Sequence, residues 1–520
     1  MHENREISST PWCDSQGRPA KAINRNADAH VLEKSDCAVV PVNQPNKEAA
    51  ASAEVGEGRA QPKENIDQSH MPPTQSGKRM SQGLDGVRQA AKERKQERFT
   101  SLLHHLSVDL LRDSFYALKR KASPGVDGVT WQEYETGLED RIIDLHSRVH
   151  RGTYRAQPSK RVYIPKLDGR QRPIGIAAVE DKVLQQAVVT ILNQIYEVDF
   201  KGFSYGFRPG RSPHQALDAL TVGIQRKKVN WILDADVLGF FDNLSHEWAL
   251  KFIKHRVADR RILRLIRKWL KAGVSEDGQW SESNKGTPQG SVASPLIANV
   301  YMHYLFDLWA DVWRRKVAKG DVIIVRYADD LVMGFQHRAD AERFLREFKE
   351  RLAKFGLELH PDKTRLIEFG RYAARDREQH GKGKPETFNF LGFTHYCGQR
   401  HKTKTFTVWR ITAQKRMAAK LKDIKVELQR RMHDRVVEVG AWLWKVVSGY
   451  YLYHAVPGNI DQLYLFKHRV HRLWRSVLIR RSQKARKKWA KYGPIFDRWI
   501  PTPRILHPYP DARFYATHPS

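Results

Sequence analysis

The chain has 520 residues, with 90 Lys and Arg against 58 Asp and Glu, a formal net charge of +32, and a hydrophobic content of 41%. Such a length accommodates two or three domains, and such an apolar share supplies a core, so a wholly disordered chain is excluded. No apolar run approaches the ~18 residues that span a bilayer, no signal-peptide pattern opens the chain, and three scattered cysteines (Cys13, Cys37, Cys397) form neither a disulfide framework nor a cysteine zinc site.

The excess of positive charge repels itself unless a polyanion compensates it; nucleic acid is the leading candidate and an anionic membrane the second. A cytoplasmic protein is expected, with no membrane partner.

Residues 1–84 are poor in aromatic and β-branched runs and rich in Ala, Glu, Gln, Asn, Ser and Pro, so they are expected to form a mostly disordered arm. Helical spacing follows, with Leu102, Leu103, Leu106, Leu110 and Leu111 on one face. A loop over 123–131 leads into a helix from Gln132. Val162 to Ile164 reads as a strand that turns at Asp168-Gly169 into a second one, with Lys166, Arg170 and Arg172 around the turn. Three cations on one hairpin make a plausible triphosphate clamp, with a solvated basic hairpin as the plain alternative. Val179 to Tyr196 reads as a helix. After the loop from Tyr205, Ser212 as N-cap and Pro213 at the first position start another.

Trp231 to Val237 alternates as a strand, which puts Asp234 and Asp236 on one face. Asp242 follows a Gly-Phe-Phe turn. The helical segment around Ile262 to Leu270 is basic on its outer face. Gly286-Thr-Pro-Gln-Gly-Ser is a small-residue loop open to close approach by a base pair or phosphate, and a helix from Leu296 to about Trp313 follows it. Two strand-type runs, Val322 to Val325 leading in and Leu331 to Met333 leading out, meet at Asp329 and Asp330, which predicts a tight hairpin with two carboxylates at its tip. Two adjacent negative charges there are costly unless a cation joins them. A helix from Ala339 to Phe355 ends at Gly356. A strand-turn-strand over 357–367 carries Lys363, and 388–394 reads as one strand with a central glycine.

From residue 401 the chain carries 26 Lys and Arg against 7 Asp and Glu, a local charge of +19, interleaved with aromatic residues. Basic helices with aromatic side chains suit a surface that neutralises phosphates and stacks on bases. Candidate RNA contacts are Trp442, Trp444, Tyr450, Tyr451, Arg480 and Arg481.

The order of these stretches resembles the group II intron-encoded reverse transcriptase/maturase family, of a bacterial type. The resemblance is carried by Ile164-Pro-Lys, Arg172-Pro-Ile-Gly, Tyr205-Gly-Phe-Arg-Pro-Gly-Arg-Ser, Asp234-Ala-Asp-Val-Leu-Gly-Phe-Phe-Asp-Asn, Thr287-Pro-Gln-Gly-Ser, Arg326-Tyr-Ala-Asp-Asp, His360-Pro-Asp-Lys-Thr and Phe390-Leu-Gly-Phe. It runs from about residue 85 to the end. It implies an α+β chain with a right-hand polymerase fold, its fingers and palm built on antiparallel sheet over 85–398. A helical thumb and maturase domain over 399–500 and a tail over 501–520 follow.

The resemblance also implies chemistry. Asp236, Asp329 and Asp330 hold two Mg²⁺ ions, with the Val237 carbonyl as a further ligand. Lys166 and Arg172 grip the incoming triphosphate. Phe241 is the steric gate against a ribose 2′-hydroxyl, Gln289 lines the nucleotide pocket, and Lys363 is a proton donor to pyrophosphate. The implied partners are intron RNA, an RNA template with a DNA primer, dNTPs and target DNA. No cysteine-pair endonuclease module follows residue 520, so a C-terminal nicking domain is not expected. A splicing-only maturase and a retron-type or defence-associated enzyme are the alternatives. The intact carboxylate triad speaks against the first, and the large basic C-terminal region against the second.

Overall fold

Strand-forming runs in this chain are short and are closed off by Gly, Pro and Asp, which favours several small sheets over one large one. The computed structural model describes residues 75–165, 171–400, 403–481 and 492–517, all within one unit, Glu33–Ser520. Eleven strands lie among them. In order they are β1 (Ser159–Pro165), β2 (Gln171–Ile176), β3 (Trp231–Asp236), β4 (Val274–Glu276), β5 (Gln279–Ser281) and β6 (Val322–Tyr327). Then come β7 (Asp330–Phe335), β8 (Arg365–Glu368), β9 (Phe388–Phe390), β10 (Phe393–Gln399) and β11 (Phe406–Thr412).

They form three sheets, ordered β2-β1-β4-β5, β6-β7-β3-β8 and β11-β10-β9. All neighbouring pairs are antiparallel except β1 with β4. With many helices beside them, the chain is α+β. The middle sheet is central. All six residues of β7 are buried, because β7 lies between two strands and has packed cores against both its faces.

The helix starts follow from local chemistry. Ser212 and Gln215 close a reciprocal capping box with Pro213 at the first position, so the helix Pro213–Arg226 begins where the sequence predicts. The helix Val179–Asp199 is buried nearly all round, so its polar residues need partners: Gln185 accepts from Ser291 Oγ at 2.8 Å, and Lys182 donates to the Ser123 carbonyl at 3.0 Å.

Several expectations change. The helix Gln75–Glu93 begins inside the expected arm, and its Leu84, Val87 and Ala91 are buried in the core; the arm's residues 1–74 lie outside the described residues. The run 388–394 is a hairpin and not one strand: Leu391 and Gly392 both take positive φ, +47° and +78°, so the central glycine reverses the chain. Of the segment 357–367 only β8 is a strand. Residue Leu359 makes an isolated bridge with Val237.

A break after residue 398 does not coincide with a structural seam. β10 runs to Gln399 and pairs along its whole length with β11. The C-terminal helical core starts at Gln414 and comprises the helices Gln414–Arg430, Val436–His454 and Ile460–Arg480 around Phe466, Val470 and Trp474. Burial of each large apolar side chain there contributes about 1.5–3 kcal/mol, and Trp474→Ala would cost about 3–5 kcal/mol. The expected tail contains a helix, Pro510–Thr517, which returns to pack on Pro213–Arg226. Asp218 of that helix is shared by Arg410 at 2.7 Å and Arg513 at 3.3 Å.

Candidate active site

The central sheet sets its carboxylates by register. In the β3–β7 ladder Asp236 stands directly opposite Asp330. In the β6–β7 hairpin Tyr327 pairs with Asp330, so the two-residue turn is Ala328-Asp329. The tip therefore carries Asp329, while Asp330 is the first residue of β7. Ala328 holds φ at +56°, unusual for a residue with a side chain. The backbone of Gly206 lies against this turn, where a Cβ would overlap the Ala328 nitrogen.

A buried guanidinium fixes the turn. Arg326 is fully buried and places all five of its N–H groups. Two bonds go to the Asp307 carboxylate at 2.6 and 2.7 Å, one to Asn299 Oδ1 at 3.0 Å, one to Ser204 Oγ at 2.6 Å and one to the Ala328 carbonyl at 2.9 Å. Asn299 in turn donates to the Gly206 carbonyl at 2.7 Å. Asp307 lies in a π turn, His303–Asp307, a feature frequent at functional sites. Burial alone would push the Asp307 carboxyl up; the Arg326 charge and His303 outweigh it and hold it below the usual range. The sequence displayed Arg326 inside the Arg-Tyr-Ala-Asp-Asp string, but only its burial reveals that it supports the turn.

Beyond β3 the chain pairs with 358–360: Leu238 N donates to the Glu358 carbonyl at 2.9 Å, and His360 N to the Asp236 carbonyl at 2.8 Å. Val237, buried, lies between these two bonds. The pairing brings the following turn over the carboxylates, and Lys363 Nζ sits 3.2 Å from Asp236 Oδ2. Burial, and then the negative charge of Asp236, push the Asp329 carboxyl up to about 6, against the opposing charges of Arg172 and Lys363. Among the described residues no three carboxylates lie close enough to hold one ion together. The donor set fits a hard cation nonetheless: Asp236 and Asp330 are paired across strands, and Asp236 already makes the charge on Asp329 costly.

Two of the nucleotide-side candidates, Gln289 and Phe241, meet at the loop 286–290. Gly175 of β2 donates to the Gln289 carbonyl at 2.7 Å and is packed so closely on Pro288 that a Cβ would not fit. Thr287 N donates to the Phe241 carbonyl at 2.8 Å, which ties the half-buried Phe241 to the same loop. Arg172 lies on β2 opposite Ile164, and its charge reaches Asp329. Lys166 lies outside the described residues. Gln185 is a further contributor that the sequence did not signal: its side-chain oxygen accepts from Ser291 Oγ, Val292 N and Ala293 N. Arg161, Asp242 and Lys285 line a cleft with Gln289.

The C-terminal candidates divide. Trp444 is 51% exposed and Arg480 is exposed, so both are available to a partner. Tyr450 and Tyr451 are 4% exposed and pack on Phe466 inside the helical core, so their expected stacking on RNA is corrected: both rings are core residues, out of reach of a base. Trp442 is half-buried beneath Arg431, with the guanidinium 5.3 Å from its ring. Arg481 is spent on structure, donating to the carbonyls of Asp434 and Arg431.

Residues 164–395 match the reverse transcriptase (RNA-dependent DNA polymerase) family. The chain is 30% identical over 299 residues to Protein YkfC of Escherichia coli (strain K12), covering 50% of this chain and 78% of that protein. It is 35% identical over 224 residues to the group II intron-encoded protein LtrA of Lactococcus lactis subsp. cremoris, covering 43% of this chain and 37% of LtrA. It is also 25% identical over 306 residues to a putative COX1/OXI3 intron 1 protein of Saccharomyces cerevisiae, over 50% of this chain and 36% of that protein. The chain thus matches well under half the length of either intron protein.

Proposed function

The chain belongs to the group II intron-encoded reverse transcriptase/maturase family, and on that basis we propose that it extends a DNA primer on an RNA template and also binds its intron RNA to assist splicing and mobility. Proteins of the family use divalent metal ions, and among the described residues no helix is long and apolar enough to cross a membrane. The observation that carries the reading is the placing of Asp330 opposite Asp236, with Asp329 on the adjoining turn and Lys363 and Arg172 supplying the opposing charge.

In this reading Asp236, Asp329 and Asp330, with the Val237 carbonyl, would hold two Mg²⁺ ions. When bound, these lower the pKa of the primer 3′-hydroxyl and take up charge on the pyrophosphate. The primer 3′-oxygen attacks the α-phosphorus of the incoming deoxynucleoside triphosphate, giving its proton to solvent water, and the bond to pyrophosphate breaks. Lys363 passes a proton to the departing pyrophosphate. Arg172, with Lys166, grips the triphosphate, and Gln289 lines the base-pair pocket. The Phe241 ring fills the space that a 2′-hydroxyl would need. Such catalysis is mainly positioning and charge stabilisation.

The helices from Gln414 onward are read as thumb and maturase, with Trp444 and Arg480 among their RNA contacts. The charge of +19 over residues 401–520 supports this, since phosphate neutralisation dominates affinity for RNA. Primer extension on an RNA template by the full chain tests the polymerase reading, and an intron splicing assay tests the maturase one.

A further inference from the structure

The helix Arg260–Lys271, Arg-Arg-Ile-Leu-Arg-Leu-Ile-Arg-Lys-Trp-Leu-Lys, carries six cations and no acidic residue. Its Ile262, Leu265, Ile266, Trp269 and Leu270 are buried in the main core, and the half-buried Leu263 packs against it. Arg260, Arg264, Arg267 and Lys271 are exposed. At about 100° and 1.5 Å per residue they form one stripe about 16 Å long, with successive cations about 4.5–6 Å apart along the axis. Lys268 and Arg261 are used elsewhere. Lys268 bonds the carbonyls of Gly152 and Tyr154, and Arg261 pairs with Asp259.

An ordinary solvated face in this protein looks different. The helix Arg338–Ala353 alternates its charges and closes them as i, i+4 pairs, Arg338 with Glu342 and Arg343 with Glu347, both at 2.7 Å. The 260–271 stripe has only like charges at i, i+3 and i, i+4, each pair unfavourable by about 0.2–0.5 kcal/mol. Arg260 also stands at the helix N-terminus, where the dipole disfavours a cation. No acidic partner faces the four stripe residues among the described ion pairs. Exposed Arg155 adds to the like charge: with Arg264 it lowers the proton affinity of Lys268, whose larger perturbation is burial. Beside the first turn, Arg98 binds the carbonyl of Lys254, and both cations are exposed.

We propose that this face is a second nucleic-acid surface, separate from the nucleotide-addition site, that seats backbone phosphates of a base-paired RNA. The choice of RNA rests on the polymerase and maturase reading above. The helix itself presents no exposed apolar or aromatic residue, and the exposed Trp280 beside its last turn is a single ring tied to the Ala272 carbonyl, so the row suits neither stacking on a run of single-stranded bases nor burial in a lipid interface. A row of guanidinium groups suits phosphate oxygens, without regard to base sequence.

The test uses the full chain with Arg260→Gln, Arg264→Gln, Arg267→Gln and Lys271→Gln combined. The probe is a blunt RNA hairpin with no primer terminus, followed by anisotropy from about 50 to 200 mM salt. The expected result is affinity weaker by about ten-fold or more, and a slope of log affinity against log salt smaller by about three to four, one for each phosphate that the variant no longer neutralises. Single-nucleotide addition on a bound primer–template should keep its kcat. The melting temperature should hold or rise, because repulsion along the helix is relieved. Wild-type affinity and slope in the variant would overturn the proposal and return the stripe to a solvated face. A fall of nucleotide addition in step with hairpin binding would overturn it too, by assigning the stripe to the template channel. Stripe-dependent hairpin binding by a wild-type chain that makes no cDNA would uphold this proposal and refute the polymerase reading.

Discussion

Asp236 and Asp330 face each other across the β3–β7 ladder, and Lys363 Nζ reaches Asp236 at 3.2 Å from the turn that follows the Val237–Leu359 bridge. Lys363 therefore stands within the charge cluster. In the proposed role of general acid it would contribute about 10²–10⁴-fold, so Lys363→Ala should lower kcat by about 100-fold or more and leave the KM for dNTP little changed. Lys363→Arg keeps the ion pair but holds its proton too tightly to donate it. It should stay slow in rapid-quench single-turnover assays. Full activity in the Arg variant would reduce Lys363 to a positioning role.

The Arg326–Asp307 pair is wholly buried, with both side chains at 0% exposure. Removal of one partner leaves an uncompensated charge, and Asp307→Asn should cost about 3–5 kcal/mol of stability by chemical denaturation. Arg326→Lys keeps the charge but cannot reach all five acceptors. It should lower kcat through the Ala328-Asp329 turn while primer–template affinity is retained.

Phe241 is tied to the 286–290 loop through its own carbonyl, so its ring can be shortened without loss of that bond. Phe241→Ala should raise incorporation of ribonucleotides relative to deoxyribonucleotides by about 10- to 200-fold, the range over which a small change in pocket volume acts. The measurement is competitive incorporation on one template, and an unchanged ratio would remove Phe241 from sugar selection.

His395 in β10 and His454 at the end of the helix Val436–His454 are buried, and burial lowers both pKa values to about 3. Both folded values lie below the unfolded value of about 6.5, so the unfolded chain takes up protons first as pH falls. Their contribution is intact above about pH 7 and is lost progressively from about 6.5 toward 3, at up to about 1.4 kcal/mol per pH unit for each ring. Denaturation midpoints should drop between pH 7 and 5, and His454→Gln should flatten that dependence.

The chemistry-bearing stretches were legible in the sequence because they are local: the hairpin around Asp329, the strand ending at Asp236, the cap at Ser212. What stayed hidden depends on contacts between distant segments. Arg326 looked like one more cation until its burial with Asp307 and Asn299 revealed a support for the turn. Trp444 and Tyr450 stand on one helix, yet Trp444 faces outward and Tyr450 lies beneath Phe466, a difference decided by which face the neighbouring helix covers. The run 388–394 misled because period-2 alternation does not register a reversal at Leu391-Gly392.

In the proposed mechanism the carboxylates of β3 and the β6–β7 hairpin form one metal-dependent centre for nucleotide addition. Loss of a residue that only supports a metal ligand costs about 10–100-fold, so loss of a ligand itself should exceed that. The direct measurement is primer extension on an RNA template by the full chain and by Asp330→Ala, with Mg²⁺ and with EDTA. Mg²⁺-dependent cDNA is expected from the wild type, more than about 100-fold less from Asp330→Ala, and equal RNA binding by both. Extension by Asp330→Ala at the wild-type rate, or wild-type synthesis that persists in EDTA, would contradict the mechanism.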